Sequence, residues 1–207
     1  MGKEDDERIT MKYSLIILYL LLNILSGCGS SSDSLNDDNG DTNECTKTVF
    51  LTSLRYEGDF GGSGLASADS ACQARASAAG LSNSGNFIAW LSTSTVDAID
   101  RLSSDAVWCL TNGTSIVARD RADLIDGVLG SRINMDEDGN TISSNMNVWT
   151  GTKADGTNGG ENTCSDWTLN SGGSARMGTA MFPNTSWTEF STMTTCGNTW
   201  RLYCFEN

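Results

Sequence analysis

The chain has no histidine, a single proline and half as many basic as acidic residues, 13 Lys and Arg against 26 Asp and Glu over 207 positions. Without histidine, Ser-His-Asp and Cys-His catalysis in their usual forms are excluded, and the commonest zinc ligand is missing. A Gly-rich phosphate loop and a nucleophile motif are also lacking, so the sequence argues against an enzyme. The net charge of −13 repels phosphate backbones and polyanions such as heparin. Nucleic acid is therefore not expected as a partner, and basic protein surfaces are favoured. Arg119, Arg121 and Arg132 lie close in sequence and are the one candidate for a local basic patch. With so little proline, turns depend on the 22 glycines.

Against these absences stands one strong signal. Lys12 precedes an apolar run, Tyr13 to Leu25, that ends in Leu25-Ser26-Gly27-Cys28. The run suits a signal-peptide core and is shorter than the roughly 20 residues a membrane-spanning helix takes. Small residues before the cysteine read as a bacterial lipobox. Cleavage before Cys28 would leave its thiol carrying a diacylglycerol (palmitate) anchor. Residues 1–27 are then a lipoprotein signal peptide, with Met11 as an alternative start to Met1. Its removal takes away Lys3, Arg8 and Lys12 and also Glu4, Asp5, Asp6 and Glu7, leaving 10 basic and 22 acidic residues. Gly29 follows the anchor, with no aspartate there to suggest retention at the inner membrane.

Cys28 also makes sense of the odd cysteine count. Seven cysteines less the lipidated one leave Cys45, Cys72, Cys109, Cys164, Cys196 and Cys204. An even number in an exported protein reads as disulfides. Six cysteines allow 15 connectivities, and spacing alone does not choose among them.

Residues 28–46 are Ser, Asp, Asn and Gly with almost nothing apolar, which reads as a disordered tether. Residues 47–207 are long enough for one domain with its own core. Strands are expected over Thr48–Ser53, Asn86–Ser92, Asn147–Thr152, Asp166–Leu169 and Trp200–Glu206. Leu65–Ala79 reads as a helix with Leu65, Ala68, Cys72, Ala76 and Ala79 on one face and Gly80 at its C-terminal cap. Thr95–Leu102 reads as a second, short helix. Val107–Thr111 and Thr114–Ala118 flank Asn112-Gly113, a strong hairpin signal. From Arg119 to Thr199 regular patterning is poor, so that stretch is expected to be a long loop region pinned by Cys164 and Cys196. The pairs Trp149-Thr150, Trp167-Thr168 and Trp187-Thr188 within it read as tryptophans packed under loops.

Taken in order, these features resemble a known family. Val49-Phe50-Leu51-Thr52-Ser53 leads to the cysteine-bearing helix, then to Ala89-Trp90-Leu91-Ser92, Asp100-Arg101-Leu102, Asp123-Leu124 and Val148-Trp149-Thr150-Gly151-Thr152. The chain closes on Arg201-Leu202-Tyr203-Cys204-Phe205-Glu206. The chain resembles the leptospiral endostatin-like lipoproteins, a bacterial branch of the C-type lectin-like fold, over residues 47–207. The resemblance implies an α+β domain of short antiparallel sheets, two helices and a long disulfide-pinned loop region. It implies Cys72 joined to Cys204 and Cys164 to Cys196, which leaves Cys45 for Cys109. It further implies an outer-membrane, surface-exposed adhesin, a non-enzymatic binding module for host extracellular matrix proteins or complement regulators. The alternatives are a calcium-dependent carbohydrate-binding lectin and a structural envelope lipoprotein without a host ligand. Animal endostatins use histidines for zinc and a basic face for heparin, and this chain has neither. The calcium motif of sugar-binding lectins is also missing, since Pro183 sits in Phe182-Pro183-Asn184 with no acid before it.

Two groups of side chains are candidates for a site. In Asn134-Met-Asp136-Glu-Asp138-Gly139-Asn140, hard oxygens at alternate positions, above all Asp136, Asp138 and Asn140, could wrap a calcium ion. A plain hairpin turning at Asp138-Gly139 accounts for the same residues. Glu161, Asp166 and Glu189 fall in the long loop region and could meet a cation or a basic partner. Solvated surface acids are the simpler reading.

Overall fold

Alternation of side chains across an extended backbone decides the centre of this molecule. The computed structural model describes residues 44–62, 64–102 and 106–207, all within one compact unit, Asp41–Asn207. The expected signal peptide, Cys28 and nearly all of the expected tether lie outside the described residues. Strand β1, Lys47–Leu51, sends Phe50 to one face and Val49 and Leu51 to the other, all three fully buried. It sits in the middle of a five-stranded sheet of order β2-β8-β1-β3-β4, with β2 Phe87–Ala89, β3 Trp108–Leu110, β4 Ile116–Ala118 and β8 Tyr203–Glu206. The β1–β3 pair is parallel and the other pairs are antiparallel. Asn112-Gly113 does turn between β3 and β4.

Helix α1, Gly64–Ala78, covers the Phe50 face. Its inward residues, Ala68, Cys72 and Ala76, recur every four positions and so share one stripe. The two alanines let the helix lie close against Phe50, Phe87 and Ala89. Cys72 then reaches Cys204 in β8, with Cα atoms 5.5 Å apart. The helix ends at Gly80, whose φ of +71° suits glycine at little steric cost. Leu81 N–H returns to Ala76 O at 3.0 Å and Gly80 N–H to Ser77 O at 3.1 Å, a Schellman cap.

The opposite face, Val49, Leu51, Trp108, Tyr203 and Phe205, packs against Trp90, Trp187 and the residues that follow β4. After β4 the chain makes a helical turn α2, Arg121–Leu124, then strand β5, Asn147–Trp149, a turn α3, Cys164–Trp167, and strands β6, Ser174–Thr179, and β7, Met193–Thr195; Trp149, Cys164, Trp167 and Ala175 pack on the Phe50 side. Strands β5, β6 and β7 form a second, antiparallel sheet. Gly178 in β6 is needed because a Cβ there would stand 2.0 Å from Trp187 O. The architecture is mixed α+β with few helices, small sheets and three disulfides. The remaining two, Cys45–Cys109 and Cys164–Cys196, each place Cα atoms 5.6 Å apart. All three pairings are those the resemblance implies. Among the described residues no helix is long and apolar enough to cross a membrane.

Two expected elements take another form. Thr95–Leu102 is not a helix beyond a 3-10 turn at Ile99–Arg101, and Val96 is left exposed. Side chains have captured its backbone donors: Thr93 Oγ1 accepts Val96 N–H and Ser92 Oγ accepts Ala98 N–H, which competes with helix formation. Asp166–Leu169 is not a strand: Asp166 and Trp167 belong to the α3 turn and Thr168 caps it. The three tryptophans of the Trp-Thr pairs are all buried, as their packing under loops requires.

Two outcomes follow. Replacing Cys72 and Cys204 together by alanine opens a loop of sequence separation 132 and is expected to cost about 4–5 kcal/mol in denaturant melts. Tyr203 is fully buried and its hydroxyl meets no hydrogen-bond partner among the described residues. Tyr203→Phe removes that unsatisfied group and is expected to raise stability by about 1 kcal/mol in the same melts.

Candidate functional site

Among the described residues the α3 turn has the most unusual backbone. Cys164, Ser165, Asp166 and Trp167 are consecutive and all have positive φ, 52°, 54°, 55° and 65°. Left-handed helical geometry costs an L-residue roughly 1–2 kcal/mol, and such strain persists only where the surroundings over-determine it. Here they do. Trp167 N–H bonds Thr163 O at 2.7 Å and Thr168 N–H bonds Cys164 O at 3.1 Å. The Cys164–Cys196 bridge holds one end of the turn. The fully buried Trp167 ring holds the other, its indole N–H donating to Ser92 O at 2.7 Å.

This turn forms a wall of an open cleft of about 510 Å³. The cleft is lined by Ser94, Glu161, Asn162, Thr163, Ser165 and Asp166, together with Leu169, Gly173 and Ser174. Asp166 is fixed rather than free. Its carboxylate accepts Ser94 N–H at 2.6 Å, the Ser94 hydroxyl at 2.8 Å and the Thr163 hydroxyl at 2.9 Å. Burial alone raises the Asp166 pKa, but the bonds from Ser94 and Thr163 outweigh it and hold the carboxyl below its ordinary value. Among the described residues neither lysine nor arginine lines the cleft.

Of the acids singled out in the loop region, Glu161 and Asp166 come together here. Glu189 does not; it is paired with Arg176 at 2.5 Å and accepts Ala154 N–H at 2.9 Å. Ser94, Asn162, Ser165 and Leu169 escaped the sequence reading. Thr163-x-x-Asp166 carried a usable signal, the capping-box spacing: Thr163 Oγ1 does accept Asp166 N–H at 3.1 Å. What it caps is a left-handed turn, which no propensity favours. Two of the three arginines of the candidate basic patch are paired: Arg121 meets Asp100 at 3.1 Å and Arg119 approaches Asp123 at 4.0 Å.

The 134–140 segment is a hairpin, with Met135 bridged to Thr141. Asp136 is buried and points at its own turn. One oxygen accepts the N–H groups of Asp138 and Asn140 at 3.1 and 2.7 Å, and the other accepts the Asn140 amide at 3.3 Å. Asp138 and Asn140 are exposed on the rim of the turn. Among the described residues, no three or more His, Cys, Asp or Glu side chains are grouped so as to hold a metal ion.

Glu137, next in sequence, has a structural task. Its side chain is fully buried and ion-paired with Arg75 of α1. The carboxylate also accepts the Ser53 hydroxyl, and Ser53 N–H at 2.9 Å. Burial alone raises the Glu137 pKa; the bonds from Ser53 and Arg75 prevail and lower it. Beside it Arg201 is buried, and its guanidinium donates to Thr52 O, Ser53 O and Asn145 O at 2.6, 2.5 and 3.0 Å. Burial lowers the pKa of Arg201.

Glu137→Gln is expected to cost about 3 kcal/mol, since it leaves Arg75 without its charge partner. A carboxyl lowered on folding contributes stability above its unfolded pKa, and that contribution fades as pH falls through the folded value. Stability of the wild type should therefore drop on acidification more steeply than that of Glu137→Gln, read from chemical melts across the acid range. No protein-family model matches the chain, and no curated protein does either.

Proposed function

We propose that the chain is a lipid-anchored protein of a bacterial outer membrane, exposed at the cell surface, whose folded unit is a C-type lectin-like, endostatin-like domain. Its work is binding, not catalysis, and its ligand is an extracellular protein such as a matrix component or a complement regulator. The lipobox at Cys28 supports the anchor. The fold reading draws support from the first and last strands pairing at the sheet centre, from Cys72–Cys204 tying the helix to the last strand, and from Cys164–Cys196 inside the loop region. One observation carries the binding reading: the loop region spends covalent and steric resources to hold a strained turn at the edge of an open cleft. Strain of this kind concentrates at ligand sites.

The compact unit, residues 41–207, contains both partners of every disulfide and serves as the soluble reagent. Tested against immobilised matrix proteins, complement regulators and glycans, it should bind at least one protein saturably, equally well in calcium and in chelator. Glycan binding abolished by chelator would replace this reading with a calcium-dependent lectin. Silence across the whole panel would overturn the adhesin reading in favour of a structural envelope role.

A further inference from the structure

Charge within this domain is unevenly spent. Arg75, Arg101, Arg119, Arg121 and Arg176 each face an acid of their own, Glu137, Asp69, Asp123, Asp100 and Glu189. Arg201 is buried against backbone carbonyls. The cleft beside α3 receives none of these cations. It combines the carboxylates of Glu161 and Asp166 with Leu169, an apolar side chain left 39% exposed. That combination is the complement of one kind of group. Arginine and lysine carry a charged head on an aliphatic stem. A planar guanidinium adds a fork of donors that suits carboxylate and hydroxyl acceptors. The cavity's 510 Å³ lies in the range of small-ligand sites, about 300–1,000 Å³.

We infer that the cleft is the primary contact of the domain with its protein partner and that it takes a basic side chain, the head against Glu161 and Asp166 and the stem along Leu169. This rests on the binding-module reading and names the chemistry of its partner. Asp166 arrives pre-positioned by Ser94 and Thr163, so little ordering is needed on binding. Glu161 is exposed and supplies the charge that a partner neutralises. Calcium is a poor occupant, because it takes six to eight converging oxygen ligands and among the described residues no three acids are grouped so as to hold a metal ion. Anionic ligands are opposed by Glu161 and Asp166.

The test is an amide NMR titration of residues 41–207 with acetyl-Gly-Arg-Gly-amide, with acetyl-Gly-Gln-Gly-amide as the uncharged control. Saturable shifts confined to Ser94, Asn162 to Asp166 and Leu169 are expected for the arginine peptide and absent for the control. Glu161→Gln should weaken the arginine peptide about five-fold, the loss of one partly exposed charge contact, while its spectrum elsewhere stays that of the wild type. Leu169→Ser is the second variant and should weaken arginine binding without removing charge. Shifts scattered over the acidic surface, without saturation, or unaltered binding in Glu161→Gln, would overturn the inference. So would equal binding of the uncharged peptide or of neutral sugars. The two levels separate cleanly. A matrix protein that binds Glu161→Gln as well as wild type leaves the adhesin reading standing and removes this one. Arginine-peptide shifts in the cleft with no protein ligand in the panel would do the reverse.

Discussion

A fold with so little repeating backbone depends on where its indoles can place their N–H groups. Five of the six tryptophans are fully or almost fully buried, and a buried indole needs an acceptor. The acceptors lie on distant segments: Trp90 donates to Thr188 Oγ1, Trp108 to Glu206 O, Trp149 to Tyr56 O and Trp167 to Ser92 O. The Trp149 and Trp167 bonds tie β5 and α3 to irregular chain, the Trp90 bond ties the end of β2 to the turn at Thr188, and the Trp108 bond joins β3 to β8. The rings meanwhile touch one another, Trp90 against Trp187 at 5.0 Å and Trp149 against Trp167 at 5.9 Å. The loop region is thus fastened from below at several points, which is why it holds a shape fit to carry a cleft.

The elements legible in the sequence were those that obey a local rule. The four-residue spacing of Ala68, Cys72 and Ala76, the glycine at 80 and the Asn112-Gly113 turn all act within a few residues of themselves. Strand β6 was not legible: Ser174–Thr179 reads as small and polar, and Gly178 sits there to meet Trp187 O, a contact made from elsewhere in the fold. No helix forms over 95–102 for a local reason, since Ser92 and Thr93 hydroxyls compete for its donors. At the candidate site the acids Glu161 and Asp166 could be named, but not their meeting with Ser94, which stands 72 residues away from Asp166. No sequence rule anticipates four left-handed residues in a row. That geometry is imposed by a disulfide, a buried ring and a cap acting together.

Electrostatics divides along the same line. Inside, Glu137, Arg75 and Arg201 join α1, the end of β1 and the lead into β8 through charge-assisted bonds, which are stronger than neutral ones. Outside, the arginines are largely spoken for, so the acidic surplus of the composition is expressed at the surface and in the cleft. A net charge read from composition therefore understates the local field at positions that no arginine reaches.

The three disulfides have a mechanical consequence. Tension between the N-terminal segment and a ligand seated beside Cys164 would travel from Cys45 to Cys72, cross to Cys204, return to Cys196 and cross to Cys164. That route spans about 35 residues, on the order of 120 Å at full extension. Cys45–Cys109 adds a second strand in parallel. Everything between Cys72 and Cys164 is bypassed, so even a forcibly opened domain would stay on a short covalent leash.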